Sequence, residues 1–202
     1  MLQHIRPALV LIALFTILTG IVYPYAIWAV GAVIFPDRAG GSLVKRADGT
    51  VVGSSLIGQS FTSDKYFHGR PSATTTPDPK DASKNIDAPY NAANSTGSNY
   101  GATSQPLVDR VKADLEKLRK EGIAGPVPAD AVTASASGLD PDISPEYAAL
   151  QVPRVAKARN LPQGEVRALV EAQTRGRVLG FIGEPRVNVL GLNLALDALP
   201  AI

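Results

Sequence analysis

The sequence predicts a mixed α+β protein with one N-terminal transmembrane helix followed by a polar, extracytoplasmic α+β domain. Three observations lead to this fold class: an uncharged stretch of 30 residues from Pro7 to Pro36, a β-hairpin signal soon after it, and helical or alternating apolar patterns in the remainder. The mean hydropathy of +0.06 and the net charge of +2 are therefore averages over two unlike parts of a chain of 202 residues.

Composition argues against several functional classes. The chain has no cysteine, which rules out a disulfide framework, a Cys-ligated zinc and a thiol nucleophile. It has only two histidines, His4 and His68, so a His-rich metal site is not expected. The near-neutral charge lacks the basic excess of nucleic-acid-binding domains, and we expect no nucleic-acid partner.

The uncharged stretch predicts a transmembrane helix over residues 8–35. Twenty-eight helical residues reach about 42 Å, more than the hydrocarbon core of about 30 Å. A cleaved signal peptide is the alternative, but its apolar region is only about 7–15 residues long. Tyr23, Tyr25 and Trp28 cluster where the helix would leave the hydrocarbon. Pro24 is expected to kink the helix there.

Charges flanking the span indicate its orientation. Residues 1–7 carry the terminal amine and Arg6 without an acidic side chain, whereas Asp37 and Arg38 cancel on the other side. The positive-inside rule therefore predicts a short cytoplasmic N-terminus and places residues 36–202 outside the cytoplasm.

A stripe of small and hydroxyl-bearing residues runs along the predicted span. Its members follow the i, i+3, i+4, i+7 spacing of one helix face: Thr16, Thr19, Gly20 and Tyr23. Such residues allow close helix approach within lipid, so we expect the stripe to face a partner helix. The alternative is that these residues are ordinary occupants of a membrane span.

The domain is expected to begin with a β-hairpin and a long polar loop. Leu43–Val44 and Thr50–Val52 flank an Asp-Gly turn that supplies a positive φ. Residues 56–61 are expected to extend this sheet. Residues 68–105 are rich in Pro, Ser, Thr, Asn, Asp and Gly, which predicts a loop that is either mobile or partner-binding.

Three helices and a strand are predicted in the second half. The first helix runs from Ser104 to Gly122, the second begins at Ser144 and is interrupted by Pro153, and the third follows residues 161–164. A central strand is predicted over 187–197 by alternating leucines. These are Leu190, Leu192, Leu194 and Leu196.

Short patterns suggest one enzymatic alternative, a membrane-anchored periplasmic serine-type hydrolase. Ser42 to Lys45 matches S-x-x-K and Ser83 to Asn85 matches S-x-N, two elements of β-lactamase-type enzymes. The third element, K-T-G, is absent, and Ser42 lies in a predicted strand where that fold requires a helix start.

Other candidate groups have structural explanations as well. His68 could serve a Ser-His-Asp triad, but no nucleophile-elbow pattern lies near it. Asp140 and Asp142 could hold a cation or act in acid–base chemistry, yet such residues commonly form turns and caps. Residues 150–186 hold seven basic and three acidic side chains and could contact an anion or an acidic partner. The basic stretch begins with Gln151, Arg154, Lys157 and Arg159.

Seven motifs occur in order along nearly the whole chain: Thr19 to Pro24, Gly53 to Gln59, Tyr66 to Ala73, Gly97 to Asn99, Thr133 to Pro141, Gln151 to Arg159 and Gly183 to Leu190. With these motifs the chain closely resembles the C subunit of the bacterial Kdp-type potassium-transporting ATPase. The segment from Thr74 to Ala88 departs from the family pattern by its length.

The resemblance implies a non-catalytic accessory subunit of the inner membrane, with one helix and a periplasmic domain. Its implied partners are a potassium-channel-like subunit, a P-type ATPase subunit and a small membrane subunit. No metal or tightly bound cofactor is implied. The family is also described as a catalytic chaperone that raises the ATP affinity of the ATPase subunit. That role maps a nucleotide contact onto Ser137, Gly138 and Gln151, with ATP as the ligand.

Two hypotheses for the role of the domain therefore remain. One is direct ATP contact at Gln151. The other is a periplasmic lid that docks on the channel-like subunit and sustains potassium affinity. The predicted topology places Gln151 away from cytosolic ATP, and no Gly-rich phosphate loop surrounds it, which favours the lid.

Overall fold

The computed structural model describes residues 2–46 and 48–199, which form two units. One unit ends at Ser54 and the other begins at Ser55. The first holds a long apolar helix and a two-stranded hairpin, and the second is a mixed α+β domain. The α+β class predicted from the sequence is thus confirmed.

The helix of the first unit is long and apolar enough to cross a membrane. It consists of α1 (Ile5–Ile17), a π-helical turn (Leu18–Val22) and α2 (Tyr23–Ile34). Together these make 30 residues, and their most apolar 18-residue window has a mean hydropathy of 2.2 and is not buried within the protein. The predicted N-terminal helix is therefore present.

Pro24 accounts for the π-helical turn. A proline has no N–H, and its ring clashes with the carbonyl four residues earlier, here that of Gly20. The wider i→i+5 spacing of a π turn relieves this clash. The turn contains Thr19 and Gly20, so the unbroken α-helical spacing assumed for the stripe is wrong at its centre. That the stripe residues face a partner helix stays a prediction.

The predicted hairpin follows a short helix, α3 (Pro36–Ala39). Strands β1 (Leu43–Lys45) and β2 (Val51–Ser54) pair antiparallel. The turn residue Gly49 has a φ of +84°, as an Asp-Gly turn requires. The prediction that residues 56–61 extend this sheet is wrong, because the Gly58 amide instead donates to the Leu139 carbonyl at 2.9 Å.

The core of the second unit lies among three helices and a small sheet. The helices are α5 (Pro145–Arg159), α6 (Gln163–Gln173) and α7 (Val189–Asp197). The sheet has the order β5 (Asp142–Ile143), β7 (Arg186–Asn188), β6 (Thr174–Arg175), with both pairs antiparallel. Side chains with no solvent exposure fill the centre: Val152, Val155, Val166, Val187, Leu192 and Leu196.

The predicted strand over 187–197 is wrong beyond Asn188, where helix α7 begins. Asn188 caps this helix by accepting a hydrogen bond from the Gly191 amide at 2.9 Å. Val189, Leu192 and Leu196 are buried at helical spacing. The alternation of leucines was misleading because almost every residue of this segment is apolar, so period two and period 3.6 both fit.

The predicted interruption at Pro153 is also wrong, because α5 is continuous through it. Proline has no N–H, so the carbonyl of Ala149 loses its helical hydrogen-bond partner. This carbonyl lies one turn before Pro153 on the same side of the helix, and the Pro153 side chain is exposed. Water can hydrogen-bond a carbonyl on an exposed face, which makes the proline tolerable there.

A second hairpin lies within the predicted loop over 68–105, which is therefore only partly correct. Strands β3 (Thr75–Asp78) and β4 (Asp81–Asp87) pair antiparallel. The base is closed by Thr74, whose Oγ1 donates to the Ala88 carbonyl at 2.6 Å, while the Ala88 amide donates to the Thr74 carbonyl at 3.0 Å. The segment expected to be longer than the family pattern contains this hairpin.

Both predicted helix starts in the middle of the domain are confirmed. Helix α4 (Gln105–Lys120) follows Ser104 and ends before Gly122, whose φ is +88°. The Ser104 side chain makes no capping hydrogen bond. At α5, in contrast, Ser144 Oγ accepts from the Tyr147 amide at 3.0 Å, and the Asp130 carboxylate accepts from both the amide and the hydroxyl of Ser144.

Candidate functional site

Two buried amide side chains hold the peptide groups of two consecutive residues, and we call Asn193 and Gln151 the amide clamp. Asn193 of α7 accepts a hydrogen bond from the Phe67 amide at 2.8 Å and donates to the Phe67 carbonyl at 3.0 Å. Gln151 of α5 accepts from the His68 amide at 2.8 Å and donates to the His68 carbonyl at 3.1 Å. The clamp residues are only 2% and 1% exposed.

The clamp solves a problem created by the burial of irregular backbone. Phe67 has no exposed surface, yet it lies outside any helix or strand that could pair its peptide groups. Unpaired peptide groups in the interior cost free energy. A carboxamide carries one acceptor and one donor side by side, so it can pair a residue's amide and carbonyl as a neighbouring strand would.

Arg154 extends the clamp toward the surface. Its Nη2 donates to Gln151 Oε1 at 2.7 Å, and its Nη1 donates to the Asp64 carbonyl at 3.0 Å. Its Nε lies 3.8 Å from a Glu121 carboxylate oxygen, and 9% of its side chain is exposed. Every polar atom of the Gln151 side chain is therefore engaged within the protein.

The basic stretch that begins at Gln151 is thus not a continuous anion-binding face. Arg154 is turned inward, and Arg159 pairs with Asp197 at 2.6 Å while its guanidinium lies over the Tyr66 ring. Lys157 remains exposed. The expectation of a basic face on successive turns of this helix is wrong for the two arginines, because both are paired with acidic side chains.

Ser137 and Gly138 occupy a tight turn that binds the polar loop. Ser95 Oγ donates to the Ser137 carbonyl at 3.0 Å, and Ser72 Oγ donates to the Gly138 carbonyl at 2.8 Å. Gly138 has a φ of +68°. Ser137 Oγ accepts from the Leu139 amide at 3.1 Å. The turn and Gln151 therefore use different hydrogen-bond partners, so the structure does not join the three predicted nucleotide contacts into one hydrogen-bonded cluster.

The two aspartates singled out from the sequence form ion pairs. Asp140 accepts from Arg70 at 2.8 Å, and its other oxygen accepts from the Asp142 amide at 3.1 Å, as in an Asx turn. Asp142 lies 3.0 Å from Arg186. The explanation as a turn former is confirmed for Asp140, whereas Asp142 lies in strand β5. Over residues 2–46 and 48–199 no group of three or more His, Cys, Asp or Glu side chains is arranged to hold a metal ion.

A cavity of about 260 Å³ lies beside the clamped segment. Its lining includes the cationic side chains of Arg70 and Lys117, the acidic side chains of Asp114 and Glu121, and His68. Burial raises the pKa of the Asp114 carboxyl. This mixture of charges is not the uniformly basic surface that a polyphosphate prefers.

The serines of the hydrolase alternative occupy unsuitable positions. Ser42 has a φ of +50° and directly precedes β1 rather than a helix. Ser83 lies in the exposed strand β4, where its hydroxyl donates to Asp81 at 2.6 Å. Acyl enzymes of this class need the nucleophile at a helix start with a lysine beside it, and these positions do not supply that arrangement.

We predict that His68 makes the stability of the domain depend on pH. Burial, and then the positive charge of Arg154, lower the pKa of His68 below its usual 6.5. The unfolded chain then binds more protons than the folded one at acidic pH. The stability that neutral His68 gives the fold is therefore complete above the unfolded pKa, and it is lost as the pH falls toward the lowered folded pKa. His68→Gln should therefore lose less stability than the unmodified chain between about pH 7 and pH 5 in denaturant titrations. Parallel pH profiles would contradict this.

Sequence reasoning missed the partners of the site. Asn193 was not singled out as a candidate, although a single amide within the apolar run from Val189 to Leu196 is itself a signal of a buried hydrogen-bonding role. Thr74, which is 1% exposed, looked like an ordinary loop residue. No sequence pattern links either residue to the backbone it binds.

Comparison with known proteins agrees with the ordered motifs. The family model described as K+-transporting ATPase, c chain, matches residues 5–198. The chain is 66% identical to a potassium-transporting ATPase KdpC subunit of Methylobacterium nodulans over 98% of both chains. Proteins of the same name from Rhodopseudomonas palustris and Bradyrhizobium diazoefficiens are 62% and 60% identical over 98% of this chain and 99% and 98% of theirs. The chain therefore belongs to the KdpC family, the c chains of K+-transporting ATPases.

Proposed function

We propose that this chain is a non-catalytic accessory subunit of an ATP-driven, high-affinity potassium uptake complex in the bacterial inner membrane. The helix from Ile5 to Ile34 anchors it. The basic residue Arg6, with no acidic residue before the span, supports a cytoplasmic N-terminus and a periplasmic domain. Its partners are a potassium-channel-like subunit, a P-type ATPase subunit and a small membrane subunit.

Within this complex the periplasmic domain acts as a lid that docks on the channel-like subunit and sustains its potassium affinity. The observation that favours this role over direct nucleotide contact is the amide clamp. Gln151 is the residue implied as a nucleotide contact, but both of its polar side-chain atoms form hydrogen bonds to the His68 backbone, and its Oε1 also accepts from Arg154. A nucleotide would have to displace these hydrogen bonds inside the core. A domain that acts as a lid can keep all of them.

We predict that removing the domain weakens potassium activation of the complex. A chain ending after Phe35 keeps the anchor helix and loses the domain, and a complex lacking the chain altogether is its control. The potassium dependence of ATPase activity should shift to higher concentration by about tenfold, the effect of losing about 1.4 kcal/mol of coupling. A curve that matches that of the intact complex would overturn the lid proposal.

Two clamp variants distinguish the lid from the catalytic-chaperone hypothesis, in which the chain raises ATP affinity through Gln151. Gln151→Ala and Asn193→Ala each remove one half of the clamp, but only Gln151 is implied to touch nucleotide. We predict equal ATP dependence in complexes that carry either variant, because both act on the fold alone. A loss of ATP affinity confined to Gln151→Ala would instead support direct nucleotide contact.

A further inference from the structure

An apolar loop of the second unit projects four large side chains into solvent. We call Val178 to Ile182 the apolar tip. Leu179 and Phe181 are 78% and 71% exposed, and Val178 and Ile182 are about half exposed. Contiguous exposed apolar groups of this kind mark contact sites in soluble domains.

The tip is rigid rather than a loose loop. Val178 and Ile182 exchange two backbone hydrogen bonds of 2.9 Å each, one from each amide to the other residue's carbonyl. Arg177 and Glu184 form an ion pair at its base. A rigid tip loses little conformational entropy when it binds.

The backbone of the exposed residue Leu179 is strained. Its φ is +53°, in the left-handed region that a bulky residue rarely adopts, and Gly180 follows with a φ of +82°. Glycine or asparagine would satisfy this turn without strain. Strain that displays a large apolar side chain to water gives the folded domain no stability, so its explanation lies in what the tip contacts.

The strands below the tip form a basic collar. Arg175 of β6 lies directly opposite Arg186 of β7, and like charges at such cross-strand positions destabilise a sheet. With Arg177, the collar has three basic side chains, and two acidic side chains pair with them: Glu184 with Arg177 and Asp142 with Arg186. Arg177 and Arg186 keep 44% and 41% of their side chains exposed despite their ion pairs. An anionic surface would relieve the repulsion between Arg175 and Arg186.

We propose that the apolar tip inserts into the headgroup region of a phospholipid bilayer while the collar of Arg175, Arg177 and Arg186 contacts lipid phosphates. This rests on the proposed membrane anchoring, since the span in the same chain tethers the domain to a bilayer. An apolar tip above a basic collar is complementary to a phosphate layer over hydrocarbon, where apolar groups insert about 5–10 Å. Four side chains are a small area for a stable protein interface, which typically buries about 800 Å² per partner.

The absence of cysteine makes the test direct, because any introduced cysteine is unique in the chain. Spin labels are placed by Phe181→Cys in the tip, Leu56→Cys at another exposed leucine of the same unit, and Leu14→Cys within the span. The labelled full chain is reconstituted, alone and with its partner subunits, into phosphatidylethanolamine–phosphatidylglycerol vesicles. Collision with oxygen reports lipid, and collision with a water-soluble nickel chelate reports water.

The proposal expects a several-fold higher oxygen-to-nickel ratio for the Phe181→Cys label than for the Leu56→Cys label, with and without partner subunits. Equal ratios at these two sites would overturn it. A Phe181→Cys label that neither reagent reaches in the complex would show a protein partner on the tip, which also overturns it. Nickel access at the Leu14→Cys label would mean that the span is not inserted, so the proposed anchoring itself would be wrong; without such access, equal ratios at the other two labels overturn the tip proposal alone.

Discussion

Asn193→Ala is expected to lower the free energy of unfolding by about 3 kcal/mol, because it leaves two buried peptide groups without partners. The Asn193 carboxamide is the partner of both the amide and the carbonyl of Phe67, a residue with no exposed surface. Water cannot replace these bonds without entering the core. Denaturant unfolding of the full chain, followed by circular dichroism, measures the loss.

The matched control for this variant is Asn94→Ala. Asn94 also donates its amide to a backbone carbonyl, that of Thr75 at 3.0 Å, but at the surface. Water can take over this bond, so the control should lose less than about 1 kcal/mol. Equal losses in the two variants would show that burial of the Phe67 backbone is not what makes the clamp important.

The second large effect is expected at the turn between Ser137 and Leu139. Gly138→Ala should cost about 2–4 kcal/mol, the range of overpacking combined with backbone strain. The new Cβ would lie 2.5 Å from Thr74 Cγ2 and 2.7 Å from the Thr96 carbonyl oxygen. The φ of +68° adds a penalty for any residue with a side chain. Thermal and denaturant unfolding both report this change.

Gly125→Ala separates the two contributions to this effect. Gly125 has a φ of +85°, but nothing lies within 4 Å of its added Cβ. This control should therefore show the backbone penalty alone, about 1 kcal/mol. If it proved as destabilising as Gly138→Ala, close packing of Gly138 against Thr74 and Thr96 would not be the cause.

Local signals predicted the elements that short-range chemistry decides. The Asp48-Gly49 turn, the start of α5 at Ser144 and the end of α4 before Gly122 each depend on residues within one turn of the chain, and each was found where the sequence placed it. A π-helical turn beside Pro24 follows from the same local chemistry, since proline removes one donor and crowds one carbonyl.

Predictions failed where packing, rather than local pattern, made the choice. Residues 189–197 are apolar at almost every position, so their pattern fits a helix and a strand equally well. Only the packing of these side chains against the core selects the helix. Pro153 is tolerated within α5 because its side of the helix is exposed. The hairpin that begins at Thr75 depends on Thr74 and Ala88, which are 14 residues apart.

The sequence by itself determined the apolar span, the polar α+β domain and, through ordered motifs, the family. Those features depend on residue composition, on local turn chemistry and on similarity, all of which a linear chain displays. Only the tertiary structure showed that Gln151 and Asn193 share one task on the Phe67–His68 backbone, since Phe67 and Asn193 are 126 residues apart. It also revealed the apolar tip, because exposure is a property of the folded surface. Which buried groups need partners is decided when distant segments pack and exclude water.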